Sequence, residues 1–331
     1  EQVGGQLLQA EDELAAINMA IGGAFGGVPS FTATSGPGLA LMTESIGLAV
    51  ASETPVTIFN VMRGGPSTGI PTKSEQSDLN IALNGLHGDA PHLVLAPLDI
   101  ADCVFTTGWA VQLAQHLQTA AIVLSDQFVG QSTAVVSDPR RCQLDLPGMD
   151  SVGGDYLRYK LTESGVSTVA APGDVGQRFT ADGLEHNEKG TPSAKHSDHQ
   201  RQLDKRLRKL TDFEYGADWA ELDGDGAVAI VSFGSASAPV AEARELLAGQ
   251  GCATRQVSLR LVAPLQSAAL TEALAGASQV MVVEQNHGGQ LFHYLKGQMD
   301  FEQPVHSYAR PGPVPLDPRD IAEQVLAMGD K

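Results

Sequence analysis

The sequence predicts an α/β protein with two domains, each built on a parallel β-sheet. Its 331 residues are enough for about two domains, because a typical domain has roughly 150 residues. Hydrophobic residues make up 42% of the chain and charged residues only 18%, which is too apolar for a disordered protein. In two stretches, short apolar strands alternate with segments of helical length, as in strand–helix–strand units with parallel strands.

The first stretch, residues 1–137, is predicted to form the first domain. Its strands are expected at 6–9, 30–34, 55–61, 93–95 and 120–125, and its helices at 11–25, 39–51 and 100–117. Apolar residues recur near helical spacing in the first helix, and Gly26 and Gly27 follow as an end signal. A tight turn at 35–38 precedes the second helix, and a long polar loop at 63–79 follows the third strand.

Residues 138–225 are predicted to connect the two domains, because their periodicity fades into Pro, Gly, Asp and Ser. The exception is a helix expected at 201–213, where Leu203, Leu207 and Leu210 mark one face. The basic residues at 205, 206, 208 and 209 cover the other face, which is predicted to be solvated.

Alternation resumes in residues 226–331, the predicted second domain. Its strands are expected at 227–233, 255–259 and 280–284, and its helices at 238–248 and 268–275. A further helix opens at 288–290 and reaches Gly297.

Charge and cysteine content exclude several classes of partner and site. With 21 basic and 39 acidic residues the net charge is −18, so nucleic acid and anionic membranes are not expected partners. The three cysteines are too widely spaced for a disulfide framework or a Cys-x-x-Cys site, and the nine histidines lack metal-ligand spacing. No apolar run approaches the roughly 20 residues of a membrane span, and no signal peptide is apparent, so we expect a cytoplasmic protein.

Two local features carry candidate chemistry. Glu11, Asp12 and Glu13 form a carboxylate cluster at a helix start, and a glycine turn at 35–38 opens the next helix. Acidic residues in a first turn also complement the helix dipole, so capping is the better explanation of the cluster taken alone.

Together with motifs farther along the chain, these features resemble the α subunit of 2-oxoacid:ferredoxin oxidoreductases, most closely the 2-oxoglutarate type (2-oxoglutarate synthase). The motifs are QAEDELAA at 9–16, ATSGPG at 33–38, RGGPSTGIPTK at 63–73, HGDAP at 87–91, GLEHNEKG at 183–190 and VVEQNHGGQL at 282–291. The resemblance implies a pyrimidine-binding domain of thiamine diphosphate enzymes at 1–137, followed by a transketolase C-terminal-like domain at 226–331. It also implies an earlier strand and a Tyr-Pro-Ile-Thr-Pro-like loop, so we expect the chain to be truncated at its start.

The resemblance implies that this chain contributes to a thiamine diphosphate site. Glu11 would be the carboxylate that bonds the aminopyrimidine ring and favours the tautomer that activates the thiazolium carbon. Its spacing to Thr34 resembles the family better than that of Glu13, which is the alternative. Ser35 and Gly36 are the other expected cofactor contacts, and Asp12 is expected to be a surface charge.

The expected substrate contacts lie in the loop after the third strand. Arg63 stands at the carboxyl end of that strand, where open α/β sheets bind ligands, and its guanidinium could hold a carboxylate by two parallel bonds. By resemblance, Ser67, Thr68 and Lys73 add contacts, although Lys73 is equally well explained as a solvated charge. Asn286 and His287 lie in a motif better explained by packing between subunits, and they are candidates for an interface or coenzyme A contact.

The implied reaction converts a 2-oxoacid, coenzyme A and oxidised ferredoxin into acyl-CoA, carbon dioxide and reduced ferredoxin. This chain lacks the cysteines of an iron–sulfur cluster, and its Gly-Asp-Gly at 224–226 lacks the downstream Asn of a metal–diphosphate motif. Magnesium and a [4Fe-4S] cluster are therefore expected on a β subunit, which shares the thiamine diphosphate. The alternatives are a subunit acting on pyruvate or branched-chain 2-oxoacids, or a non-catalytic assembly module.

Overall fold

Two five-stranded sheets organise the chain in the computed structural model, which describes residues 4–149 and 155–328. The first sheet has the spatial order β1-β2-β4-β3-β8. Its strands are β1 (Phe31–Thr34), β2 (Val56–Met62), β3 (Leu93–Leu95), β4 (Ala120–Asp126) and β8 (Leu261–Ala263). The strands run parallel except for β8, which pairs antiparallel with β3. Helices α1 (Glu13–Phe25), α2 (Gly36–Ala51), α3 (Leu79–Asn84), α4 (Asp102–Leu117) and α5 (Gln127–Gln131) belong to this part of the chain.

The second sheet has the spatial order β10-β9-β6-β7-β5, and only its edge strand β5 is antiparallel. Its strands are β5 (Ala220–Asp223), β6 (Val228–Phe233), β7 (Thr254–Leu259), β9 (Gln279–Glu284) and β10 (Val305–Ala309). The remaining helices are α6 (His196–Thr211), α7 (Ser237–Gly249), α8 (Ser267–Leu274), α9 (Gln290–Gln298) and α10 (Pro318–Met328). Two mainly parallel sheets confirm the predicted fold class.

Strands at the centre of each sheet are almost wholly buried, as expected for parallel strands packed against helices. Six of the seven residues of β4 are buried, and Ala120–Asp126 pairs with β2 along its whole length. The core extends through both sheets, since Ile58 and Ile122 belong to the same buried cluster as Val231 and Val282. None of the helices within the described ranges is long and apolar enough to cross a membrane.

Several local expectations were wrong. Residues 6–9 form no strand: they pair with no strand in the described parts of the chain, and Leu7 and Leu8 are exposed. The glycine turn at 35–38 is the first turn of α2 itself, because Pro37 is compatible with a helix N-terminus. The short elements α3, α5, β5, β8 and β10, as well as α10, were not predicted.

The basic face of α6 is buried, contrary to the expectation that it would be solvated, and of the three expected apolar leucines only Leu210 is fully buried. Lys205 and Lys209 are 0% and 2% exposed, whereas Leu207 is 52% exposed. The cause is Glu53, which follows α2 and is itself completely buried. Its carboxylate accepts hydrogen bonds from Lys205 Nζ at 2.6 Å and from Lys209 Nζ at 3.0 Å. Pairing thus turns the cationic face of α6 inward.

Arg158 of the connecting region completes this buried charge cluster. Its Nη2 donates to the Glu53 carbonyl at 2.7 Å, and its Nη1 to the side-chain oxygen of Gln118, the C-cap of α4, at 3.1 Å. Burial alone would raise the pKa of the Glu53 carboxyl, but Lys209, Lys205 and Arg158 together hold that pKa far below its usual value. Burial lowers the pKa of Lys209 to about 8. The cluster joins α6 and residue 158 to the amino-terminal end of the first sheet.

Candidate active site

Polar side chains meet at the carboxyl ends of β1 and β2. Thr34, the last residue of β1, is in register with Asn60 of β2. Asn60 is completely buried, and its Nδ2 donates to Asp78 Oδ2 at 2.9 Å. Asp78 in turn lies against the first turn of α2, where a Cβ on Gly36 would be 2.8 Å from Asp78 Oδ1. The absence of a side chain at Gly36 therefore permits this approach.

Arg63 stands one residue beyond β2 and is half-buried. Its Nε is buried and has no hydrogen-bond partner among residues 4–149 and 155–328. Burial raises the pKa of the nearby Asp78 carboxyl, while the bond from Asn60 and the charge of Arg63 partly offset this rise. A buried donor without a partner is unfavourable, so this guanidinium is suited to an anionic ligand.

The three acidic residues at the start of α1 occupy different environments. Asp12 is the N-cap, and its Oδ1 accepts from Ala15 N at 2.8 Å, so it is a capping residue as well as an exposed charge. Glu13 faces α2, where a Cβ on Gly38 would be 2.8 Å from Glu13 Oε1. Glu11 lies immediately before the cap and is exposed. The structure thus brings Glu13 against the glycine turn, whereas the role expected for Glu11 stays a prediction.

Of the remaining expected contacts, Ser67, Thr68 and Lys73 are exposed, whereas Ser35 is partly buried. Ser67 and Thr68 lie in the exposed part of the polar loop between Gly64 and Lys73, and the hydrogen bond from Gly64 N to the Lys73 carbonyl at 2.9 Å closes this part of the loop. Ser35 is the N-cap of α2, but its side chain makes no capping hydrogen bond. Their roles as substrate and cofactor contacts also stay predictions.

Several residues at this edge of the sheet are not predicted from the sequence. Asn60 carried a usable signal, because it is a polar residue inside the apolar strand Val56–Met62. Asp126 ends β4 directly beside Met62, and its carboxylate accepts a hydrogen bond from Ser235, which follows β6 in the second sheet. Burial raises the pKa of Asp126, although its hydrogen bonds act in the opposite direction. Asp78 gave no sequence signal, because its position depends on the return path of the loop.

The residues at this edge fit the pyrimidine side of thiamine diphosphate. Acidic side chains at the start of α1 lie beside the first turn of α2, whose N-cap hydroxyl at Ser35 is not used for capping. Within the two described ranges, histidine, cysteine, aspartate and glutamate side chains form no group of three that could hold a metal ion. Gly224-Asp225-Gly226 lies in the connection between β5 and β6, where a Cβ on Gly226 would overlap Ala253.

Comparisons with known proteins place the chain among relatives of one type. Residues 1–205 match the family described as pyruvate flavodoxin/ferredoxin oxidoreductase, thiamine diphosphate-binding. The chain is 35% identical to the α subunit of 2-oxoacid:ferredoxin oxidoreductase 2 from Aeropyrum pernix, over 98% of this chain and 52% of that subunit. It is 32% identical to 2-oxoglutarate synthase subunit KorA from Methanothermobacter marburgensis, over 98% of this chain and 87% of KorA.

Solved structures agree with the sequence relatives. The 2-oxoglutarate:ferredoxin oxidoreductase from Magnetococcus marinus, with 2-oxoglutarate, coenzyme A and succinyl-CoA bound, superposes with a TM-score of 0.91 at 38% identity. The match covers 98% of this chain and 57% of that chain, so this chain spans about half the length of several of its relatives. A split-gene transketolase at 16% identity and a TM-score of 0.51 shares the fold. The chain therefore belongs to the 2-oxoacid:ferredoxin oxidoreductase family, among its α subunits.

Proposed function

We propose that this chain is the α subunit of a thiamine diphosphate-dependent enzyme that oxidatively decarboxylates 2-oxoglutarate to succinyl-CoA and reduces ferredoxin. The observation that carries the proposal is the half-buried Arg63, whose Nε has no partner within the described residues. It stands at the carboxyl end of β2, beside the residues that fit the cofactor. The names of the KorA relatives and of the Magnetococcus enzyme support 2-oxoglutarate as the substrate.

In this proposal each of the candidate site residues has a defined role. Arg63 binds the carboxylate next to the oxo group through two parallel N–H donors and neutralises its charge. Glu11 accepts a hydrogen bond from the pyrimidine ring, with Glu13 as the alternative carboxylate. Ser67, Thr68 and Lys73 close over the substrate, and Lys73 is the cation available for a second carboxylate. When bound, thiamine diphosphate supplies the electron sink that the departing carbon dioxide requires.

A β subunit is part of the same proposal. It would hold the diphosphate through magnesium and carry the [4Fe-4S] cluster that passes electrons to ferredoxin. This chain's Gly-Asp-Gly at 224–226 lacks the downstream Asn of the diphosphate motif, which supports assigning that motif to the β subunit. The proposed location is the cytoplasm, and it is supported by the free thiols of Cys103, Cys142 and Cys252.

Steady-state kinetics on the reconstituted α–β pair test the substrate. We expect kcat/KM for 2-oxoglutarate to exceed that for pyruvate, and Arg63→Ala to raise KM roughly 10- to 100-fold through loss of a charge-assisted bidentate contact. Arg63→Lys keeps the charge and should lose less. Arg319→Ala is the matched control, because that arginine is 78% exposed and lies on α10.

A preference for pyruvate or for branched-chain acids would overturn the substrate assignment while leaving the family chemistry intact. If Arg63→Ala had the kinetics of Arg319→Ala, the carboxylate-binding role would be wrong.

A further inference from the structure

The second domain holds the candidate substrate loop through one fully buried glutamine. Gln76, in the carboxyl half of that loop, is 0% exposed. Its backbone N–H donates to the Gln285 carbonyl at 2.7 Å, and its Oε1 accepts from Gln285 N at 2.9 Å. Its Nε2 donates to the carbonyl of Phe233, the last residue of β6, at 2.8 Å. This single side chain is thus bonded to two separate segments of the second domain.

Two further side chains of the second domain bind the backbone between Gln76 and Asn80. Asn286 Nδ2 donates to the Gln76 carbonyl at 3.3 Å. Gln290 Nε2 donates to the Ser77 carbonyl at 2.9 Å, and Gln290 Oε1 accepts from Asn80 N at 2.8 Å. We call Gln76, Asn286 and Gln290 the loop clamp. Asn286 thus makes a contact within the chain, and its expected role at a subunit interface or toward coenzyme A stays a prediction.

The clamp is anchored rigidly on its own side. Glu284, which is completely buried, accepts from Asn286 Nδ2 at 2.6 Å and from the backbone N–H groups of Leu291 and Phe292 at 2.7 and 3.0 Å. Burial raises the pKa of Glu284 even though these bonds favour its charged form. Asn286 is therefore fixed against the first turn of α9, where Gln290 also stands.

The clamp acts on the residues that face the candidate site. Asp78 lies two residues after Gln76 and contacts Asn60 and Gly36. The loop starts at Arg63, and a hydrogen bond from Gly64 N to the Lys73 carbonyl holds residues 64 and 73 together. Fixing the backbone at 76–80 therefore fixes Asp78 relative to Arg63. The clamp binds backbone groups of Gln76, Ser77 and Asn80, which lie on both sides of Asp78 in the sequence.

We propose that Gln76 is a positioning residue for substrate binding: through the clamp, the second domain sets where Arg63 and Asp78 stand, and Gln76 itself does not touch substrate. This inference rests on the proposed function, because it concerns the same site. It assigns to the second domain a part in 2-oxoacid binding in addition to packing.

The test compares Gln76→Ala with Gln256→Ala in the reconstituted α–β complex. Gln256 is the matched control, because it is also buried and its Nε2 donates to a backbone carbonyl, that of Ser237 at 2.9 Å, within the second domain. For Gln76→Ala we expect KM for 2-oxoglutarate to rise about tenfold with kcat within about twofold, the pattern of lost uniform binding. Amide hydrogen exchange should accelerate across residues 63–78 in this variant only.

Unchanged exchange across 63–78 in Gln76→Ala, or an equal rise of KM in both variants, would overturn the positioning role. Absence of turnover in the unmodified complex would instead contradict the proposed function, and the exchange comparison would still decide whether the clamp orders the loop.

Discussion

Arg63 and Asp78 lie at opposite ends of one loop, and this explains why only one of them could be recognised from sequence. Arg63 directly follows an apolar strand, so its place at the carboxyl edge of a parallel sheet follows from the strand itself. Asp78 reaches Gly36 only because the loop returns over the first turn of α2. That return is fixed by residues more than two hundred positions away, such as Gln285.

The two acids at the start of α1 make separable predictions. If Glu11 is the carboxylate that bonds the cofactor ring, Glu11→Gln should abolish most decarboxylation and leave assembly with the β subunit intact. Glu13→Gln should then reduce turnover less, because Glu13 packs against Gly38. A loss of about 10²-fold or more is expected when an essential proton-handling carboxylate is removed. Turnover and size-exclusion profiles of both variants provide the measurement.

The reverse ranking would assign the role to Glu13. Unchanged turnover in both variants would favour a non-catalytic assembly module.

Helix and strand periodicity predicted the longer elements. It failed for short elements and for a helix that buries charged side chains. Strands β5 and β8 are four and three residues long, too short to display a period. Helix α6 has the expected helical spacing, but Lys205 and Lys209 are buried instead of facing water. Its buried partner, Glu53, lies 152 positions before Lys205, so no local pattern could reveal the pairing.

The charge cluster beneath α6 predicts an asymmetric response to substitution. Glu53→Gln would leave Lys205, Lys209 and Arg158 buried without an anion, and we expect it to lower the free energy of unfolding by about 3–5 kcal/mol. Lys209→Met leaves Glu53 still paired with Lys205, so its loss should be only about 1–2 kcal/mol, mainly from the Gln118 carbonyl that Lys209 also bonds.

Urea denaturation of the chain measures both free energies of unfolding. Leu207→Gln is the control on the same helix, and because this leucine is 52% exposed its effect should stay within about 0.5 kcal/mol. If Glu53→Gln and Lys209→Met lowered the free energy of unfolding equally, the explanation by unpaired buried cations would be wrong.

At the scale of the whole molecule, the two sheets share one chain path and one large hydrophobic cluster, while a second cluster lies within the second domain. After β7 the chain leaves the second sheet at Arg260 and continues directly into β8 of the first sheet. Arg260 is 6% exposed, and its Nε donates to both oxygens of Asp102 at 3.0 Å at the start of α4. The sequence predicted two domains but not this return, because three residues at 261–263 resemble the end of any apolar strand. The domain boundaries drawn from the sequence stay predictions.

This shared path predicts that the two domains unfold together. Differential scanning calorimetry of the chain should show one transition with equal calorimetric and van't Hoff enthalpies, because opening one sheet would expose core residues of the other. Two separated transitions would show that the sheets are independent despite β8.

Strand β8 lies in the first sheet although its residues fall within the second domain of the sequence, and this limits how domains could be exchanged between homologues. A chimaera that grafts the second domain of a relative at a boundary near residue 226 would import a foreign edge strand for the first sheet, since residues 261–263 travel with the graft. The foreign equivalent of Arg260 would also have to accept Asp102 as its counter-ion. A domain exchange between homologues should therefore succeed only when donor and recipient have matching residues at the β3–β8 pairing and at the Arg260–Asp102 ion pair. Similarity within the separate domains is not enough.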